Sequence, residues 1–509
     1  MDKCFDTDKR IRLGIWGLGR GSAFIRAAAA VNIDIVAGCD LNPALRENFR
    51  KNCPAATITA DEREFLAFGD MDAVLIATYF ENHAEHAVRA LEAGFHVMCE
   101  VTSFFTPAEG VRLFEAVKRS GKVYNLLENY PFMKDSMYLA RLWKTGFFGE
   151  FQYGEFEYLH ECRNLCYTWN APGHPPIEPG WAAHAWRSWL DFHYYNTHSL
   201  GPLMKITGLR PVSVTAFPEE IALPGYLPGS GMSRPCPSLI RMSNGGIMRN
   251  LCGATTGDYH TGKRIWGTRA SAENLGGHGL RLRIGASGNG LVVPVGPEWP
   301  AELGKLADGA GHGGGDFWEL YYFAREILTG EPAPWTIADA CDVTLAGIMA
   351  VRSHEAGGHP MEIPDFRDPA VRERFRNDDR AMRKPFDPAR IFPEGHDPTV
   401  TSAFNGLMIR LSRQGTLFRT AADGAAIAPQ IQTAEARLEI IRLLHQAIEA
   451  LPEMERTRCE AEEMIRRYPD CPAAEALRGM MSLTGPELEN GAGPAEEKLR
   501  AELDRMLGS

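Results

Sequence analysis

Leu13-Gly14-Ile15-Trp16-Gly17-Leu18-Gly19-Arg20-Gly21-Ser22 is the stretch from which the fold is read. Its first four residues make a short apolar strand, and the glycines that follow turn the chain. Gly17 permits a tight bend and Gly19 lets backbone approach a pyrophosphate closely. A helix is predicted over 23–28, so that its unpaired N–H groups face the same phosphates. Ser22 stands at the third glycine position of the dinucleotide fingerprint, with Gly21 one place early. A second apolar strand over 33–39 ends at Asp40, about twenty residues past the glycines. A carboxylate there accepts hydrogen bonds from a ribose and repels a 2′-phosphate, which selects NAD over NADP. Gly17, Leu18, Gly19, Arg20, Gly21 and Asp40 are therefore the expected cofactor-binding residues.

Working outward, the alternation continues. Apolar strands are read at 73–77, 96–99 and 123–127, with helices between them that end near Gly94 and begin near Pro107. Strands apolar throughout and separated by helices imply a parallel sheet covered on both faces. Residues 1–130 are thus read as a Rossmann NAD-binding domain. Thr78, Glu100 and Glu128 fall at strand ends, where such sheets bind ligands, although each can equally be a polar cap. Thr78 and Glu100 join the cofactor set. His83 and His86 are read as helix-surface or packing histidines, and no metal site is expected.

The chain has 509 residues, 44% of them hydrophobic and 23% charged, with a net charge of −11. That apolar fraction suits a large folded core and excludes a disordered chain. The acidic balance argues against nucleic-acid binding. No apolar run is long enough for a membrane span, and the charged start carries no signal-like stretch, so a cytoplasmic location is expected. The 11 cysteines show no CxxC pair and are read as reduced thiols.

Leu91-Glu92-Ala93-Gly94-Phe95-His96-Val97-Met98-Cys99-Glu100 resembles the Gfo/Idh/MocA family of sugar oxidoreductases. That family continues Glu-Lys-Pro, whereas this chain reads Glu100-Val101-Thr102 and lacks the lysine. The departure resembles the NAD-dependent glycosidase branch, glycoside hydrolase family 109, whose members are α-N-acetylgalactosaminidase-like. Glu128-Asn129, Gly149-Glu150, Gly154-Glu155, Tyr158-Leu159-His160, Trp186-Arg187, Tyr195-Asn196-Thr197-His198 and Gly201-Pro202 carry the likeness, followed by the stretches 312–317 and 362–366. The resemblance implies a tightly bound NAD and a redox-neutral glycosidase. In that sequence of steps the sugar C3 hydroxyl is oxidised, the C1 substituent is eliminated, water adds, and C3 is reduced again. It also implies that Glu128 and Tyr158 lie near the sugar. A simple glycoside 3-dehydrogenase with exchangeable NAD begins with the same step and stays open, as does a non-catalytic NAD-binding regulator.

Residues 131–366 are read as an α+β substrate domain with an open mixed or antiparallel sheet. Residues 151–160 alternate, placing Phe156, Tyr158 and His160 on one face as either core packing or the floor of a sugar site. Tyr195 and His198 are three apart and can present a phenol and an imidazole together. A histidine titrates near neutrality, which suits removal of a hydroxyl proton. His198 is therefore expected to contact the oxidised hydroxyl, with Tyr195 as neighbouring acid/base. Arg187 offers a fork of donors for sugar hydroxyls, and His160 and His312 complete the expected substrate set. Gly245-Gly246 reads as a hairpin turn, and 311–315 as a glycine loop entering a helix. Prolines mark 367–400 as a linker or strap. Residues 401–509 read as a helical extension, with one amphipathic helix stopping before Pro452 and further charged helices over 453–468 and 496–507. The partner expected is a small glycoside or sugar, and the chain is expected to form a homo-oligomer.

Overall fold

The computed structural model describes residues 4–160, 167–169, 176–178, 181–184, 191–217, 235–253, 260–274, 279–285, 290–299, 303–381, 398–484 and 492–508. Six parallel strands build the N-terminal sheet: β1 (Ile11–Trp16), β2 (Ile33–Cys39), β3 (Thr57–Thr59), β4 (Ala73–Ile76), β5 (His96–Glu100) and β6 (Tyr124–Leu127). They lie in the order β3-β2-β1-β4-β5-β6. The chain order reverses between β1 and β4, and ligands of such sheets bind in the crevice outside that switch point. Leu13, Ile15, Val74, Leu75, Val97 and Met98 are buried completely between the helical layers. Helix Pro107–Ser120 starts on a capping box, Thr106 with Glu109, which contributes on the order of 1 kcal/mol. Strand β3 was too short, and too polar at its ends, for periodicity to mark.

The helix predicted over 23–28 is a broken one. A 3₁₀ turn (Arg20–Phe24) leads into four α residues, Ile25–Ala28, and a second 3₁₀ turn, Ala29–Val31. The Ser22 hydroxyl donates back to Leu18 O at 2.6 Å and competes with the α-helical ladder there.

The second sheet has nine strands among the described residues, centred on β7 (Phe151–Leu159). Strand β7 pairs in parallel with Ile247–Gly253 and antiparallel with Lys263–Gly267, so the sheet is mixed. Phe156 and Tyr158 point to the buried face, while Glu155 and Glu157 on the other face meet Arg249. Gly245 takes φ +89° in the hairpin joining Cys236–Met242 to Ile247–Gly253. Helices Thr197–Thr207, Gly315–Thr329 and Ile337–Glu355 carry apolar residues along most of their lengths and are largely buried. Both sheets belong to one compact unit, 1–161 with 190–222 and 233–383.

Within that unit the proline-rich stretch is a strap as far as it is described. Asp368 caps helix Pro369–Phe375, Arg376 pairs with Glu115 at 2.7 Å, and Asp378 takes both arms of Arg352. Asp378 O also accepts from Ala108 N, fastening the strap to helix Pro107–Ser120.

The described residues of the other unit are 167–169, 176–178, 181–184, 398–484 and 492–508. Residues 167–169, 176–178 and 181–184 were placed in the substrate domain by sequence; they group with the C-terminal helices. Strands Tyr167–Trp169, Pro176–Glu178 and Trp181–Ala183 form a small antiparallel sheet. Helices Pro398–Ile427, Ala434–Arg467, Pro472–Thr484 and Ala492–Leu507 pack on two apolar clusters, one around Phe418, Leu444 and Leu499, the other around Phe404, Met408 and Leu477. Ala434–Arg467 runs unbroken through Pro452, where two helices were expected. Interior proline costs about 3 kcal/mol, and the apolar face that continues across it through Leu444, Ala447, Leu451 and Met454 offsets that cost. No described helix is long and apolar enough to cross a membrane.

Candidate active site

The loop after β1 has the backbone that the glycine reading required. Gly17 adopts φ +97°, and a Cβ there would lie 2.5 Å from the Ala77 carbonyl carbon and 2.8 Å from Thr78 N. Asp40, just past β2, accepts from Leu18 N at 2.7 Å through Oδ2 and from Asn42 N at 2.8 Å through Oδ1. Each carboxylate oxygen retains an acceptor site, so the same group can hold the loop and receive a ribose. Burial raises the Asp40 carboxyl above its ordinary range, against the two backbone donors. The close glycine turn, the helix start at Arg20 and the acidic strand end together fit NAD. Gly17→Ala is expected to abolish dinucleotide binding, read by titration calorimetry, because a side chain there must displace the β4 backbone.

The catalytic candidates meet at the carboxyl end of β6. Glu128, one residue past the strand, is fully buried, and both its oxygens lie 2.8 Å from His198 Nδ1. Tyr130 N donates to the same carboxylate at 3.2 Å. Gly201 allows this approach, since a Cβ there would sit 3.1 Å from Glu128 Cγ. The His198 ring is then fixed by three tyrosines. Tyr130 stacks on it at 4.5 Å, while Tyr158 and Tyr195 meet it edge-on at 4.6 and 4.8 Å. Such pairs contribute about 0.5–1.5 kcal/mol each beyond their burial. A carboxylate on Nδ1 fixes the Nδ1–H tautomer and leaves Nε2 as the proton acceptor. The structure thus brings Glu128, Tyr158, Tyr195 and His198 into one cluster and adds Tyr130, which sequence reasoning missed. Glu-Asn-Tyr at a strand end was its available signal.

Beside this cluster lies a second carboxylate–histidine pair. Asp316, nearly fully buried at the start of helix Gly315–Thr329, binds Arg20 through both oxygens at 2.9 and 2.8 Å. His312 Nδ1 lies 3.0 Å from Asp316 Oδ1, and Arg20 Nε donates to Glu100 at 2.8 Å. Burial would raise the Asp316 carboxyl, but His312 and Arg20 hold it well below the usual range. The side chains of Arg20 and Glu100, expected on the cofactor, are therefore committed to one another and to Asp316. Asn129 Nδ2 is 3.5 Å from Asp316 Oδ1, so the dipeptide Glu128-Asn129 touches both pairs.

Glu319, one turn on, is buried and neither carboxyl oxygen has a hydrogen-bond partner among the described residues. Burial, with Asp316 and Glu100 nearby, pushes its pKa well above the ordinary value. A raised folded pKa stabilises the fold below the unfolded value of 4.5, and that contribution is lost as pH rises. Glu319→Gln is expected to raise the melting temperature more at pH 8 than at pH 4, measured by scanning calorimetry.

The remaining expected residues border these groups or lie further along the chain: Thr78 N faces Gly17 of the cofactor loop. The Thr78 hydroxyl lies 3.0 Å from His86 Nδ1, and His83 faces the carbonyls of Thr102 and Thr78. His86 stacks on Trp16 at 4.0 Å, so both histidines pack. The His160 ring is 5.9 Å from Tyr158. Arg187 lies outside the described residues. Asp191, His193 and His354 have ligand atoms mutually within 4.8 Å, the one such group among the described residues. Sequence reasoning passed over Asp191-x-His193. The Asp191 carboxylate is filled by hydrogen bonds from His193 N and Nδ1 at 2.9 Å, His354 Nδ1 at 2.5 Å and Cys236 at 3.3 Å. The described cysteines are free thiols.

Residues 11–127 match the model of the Gfo/Idh/MocA oxidoreductase family, described as an NAD-binding Rossmann fold. An alpha-N-acetylgalactosaminidase of Tannerella forsythia is 28% identical over 409 residues, covering 71% of this chain and 87% of that protein. A glycosyl hydrolase family 109 protein of Stenotrophomonas maltophilia is 24% identical over 421 residues, covering 72% and 91%. Among solved structures, levoglucosan dehydrogenase in complex with NADH superposes with a TM-score of 0.58 at 22% identity, covering 70% of this chain and all of that one. The last shares the fold.

Proposed function

We propose that this chain, whose N-terminal domain is that of a Gfo/Idh/MocA oxidoreductase with an NAD-binding Rossmann fold, is a redox-neutral glycosidase. The observation that carries the reading is the buried Glu128–His198 pair at the carboxyl end of β6, on the side of the sheet where the cofactor loop lies. The relatives named for alpha-N-acetylgalactosaminidase and family 109 activity support a glycoside as substrate.

NAD, when bound by the loop after β1 and Asp40, would supply reversible hydride chemistry at a sugar C3–H. The chain's own work is proton handling. His198 Nε2 takes the C3 hydroxyl proton, and Glu128 stabilises the imidazolium that results. Tyr195 and Tyr158, edge-on to the imidazole, shape the space around the reacting carbons and place two phenols within reach of it. With C3 a ketone, the C2 proton becomes acidic and the C1 substituent can leave. Val101 in place of the family lysine removes a cation from the end of β5, and Arg20 stands there on Glu100 instead.

The test offers 4-nitrophenyl glycosides to the purified chain without added cofactor. Free nitrophenol with no accumulation of NADH is the expected result, with deuterium appearing at C2 in heavy water. Stoichiometric NADH with an intact 3-keto-glycoside overturns the reading in favour of a simple dehydrogenase.

A further inference from the structure

The elimination just described needs a group to protonate the departing oxygen, and Glu128–His198 is occupied with the C3 hydroxyl. Resting on that reading, we propose that His312 is the acid that protonates the leaving group, and that Asp316 and Arg20 are positioning residues acting through it.

The two pairs are built alike. Each histidine has Nδ1 within 3.0 Å of a nearly or fully buried carboxylate, which fixes Nδ1–H and leaves Nε2 to exchange protons. They differ in exposure. His198 is 5% exposed, whereas the His312 side chain is 41% exposed. A group that serves a leaving aglycone, and then the water replacing it, must be open to solvent; one that serves a ring hydroxyl need not be. The pairs are neighbours through consecutive residues, because Glu128 holds His198 while Asn129 reaches Asp316. Gly315 presses on that dipeptide, where a Cβ would meet Asn129 O at 2.5 Å and its Cβ at 2.9 Å.

The backbone at His312 is unusual. Its φ is +51°, a left-handed backbone seldom taken by a non-glycine residue, and Gly313 and Gly314 follow at +60° and +93°. Asp316 in turn is anchored by both arms of Arg20, whose third donor is fixed on Glu100 at the end of β5. The cofactor loop, a strand end and the His312 loop are thereby tied to one carboxylate.

The step balances as follows. His312 begins as the imidazolium. The C2–H bond breaks toward a base, and its electron pair forms the C1–C2 double bond. The C1–O bond breaks with its pair on the aglycone oxygen, which takes the Nε2 proton of His312. A neutral alcohol leaves, and neutral His312 then receives a proton from the water whose oxygen adds at C1, as the C2 carbon is reprotonated.

The experiment compares His312→Gln with the unsubstituted chain on a 4-nitrophenyl glycoside and on the methyl glycoside of the same sugar. Nitrophenolate leaves without help and methanol does not. The expected loss is about 100-fold or more on the methyl glycoside and under about 10-fold on the aryl one. The variant should still form NADH in the first turnover with both substrates, because the C3 oxidation does not use His312. Asp316→Asn is expected to show the same split to a smaller degree. Equal losses on the two substrates, or none, overturn the assignment of His312 and leave the glycosidase reading intact. No aglycone from the unsubstituted chain with either substrate overturns both.

Discussion

His198→Ala is expected to lower turnover of any glycoside by about 10²–10⁴-fold while dinucleotide affinity stays unchanged. The size follows from the loss of the group proposed to accept the C3 hydroxyl proton. The selectivity follows from position, because His198 sits in helix Thr197–Thr207 and none of its contacts above involves the loop after β1. The substitution leaves the buried Glu128 carboxylate without His198 and with Tyr130 N still donating to it, so a stability loss of about 3–5 kcal/mol is expected alongside the rate. The aromatic partners keep other contacts: Tyr158 still meets Phe192 at 6.2 Å and Tyr195 at 5.9 Å. The checks are steady-state rates on an aryl glycoside and titration with NAD. Retained turnover would remove His198 from the chemistry, and lost NAD affinity would recast it as part of the cofactor pocket.

Glu128→Gln should cost nearly as much, about 10²–10³-fold in kcat, with KM little changed. Glutamine keeps the shape and can still accept from Nδ1–H, yet carries no charge to stabilise the imidazolium formed as the hydroxyl proton transfers. Glu128→Ala goes further. It leaves His198 Nδ1 and Tyr130 N without their acceptor in a fully buried site, so a stability loss of about 3–5 kcal/mol is expected alongside the rate. Comparing the two by denaturant melts separates electrostatics from packing. If Glu128→Gln turns over at the unsubstituted rate, the carboxylate only buttresses the ring.

The two predictions bear on residues of unequal legibility. Gly17, Asp40 and the strand-end position of Glu128 could be read from the chain, because their roles depend on spacing along one repeating strand–helix unit. His198 beside Tyr195 was legible for the same reason, three residues apart. The His198–Glu128 contact was not, since 70 residues separate the partners. Arg20 shows the limit most plainly. Its place in the glycine loop put it in the cofactor set, and nothing along the chain pointed to Asp316, 296 residues away, which its guanidinium meets.

The helical region shows a second limit. Proline and composition marked 367–400 as a break, but they carried no sign that the strands Tyr167–Trp169, Pro176–Glu178 and Trp181–Ala183 group with the C-terminal helices. Pro452 illustrates why local rules misjudged Ala434–Arg467 as two helices: propensity is a few kcal/mol, and burial of an apolar face on both sides of the proline exceeds it.

By itself, then, the sequence determined the parallel dinucleotide fold, the position of its cofactor loop and the residue types available for proton transfer. Those depend on local periodicity and on backbone geometry that only certain residues adopt. The tertiary structure decided which carboxylate serves which histidine, since charge pairing in a buried site depends on distances that no spacing along the chain encodes.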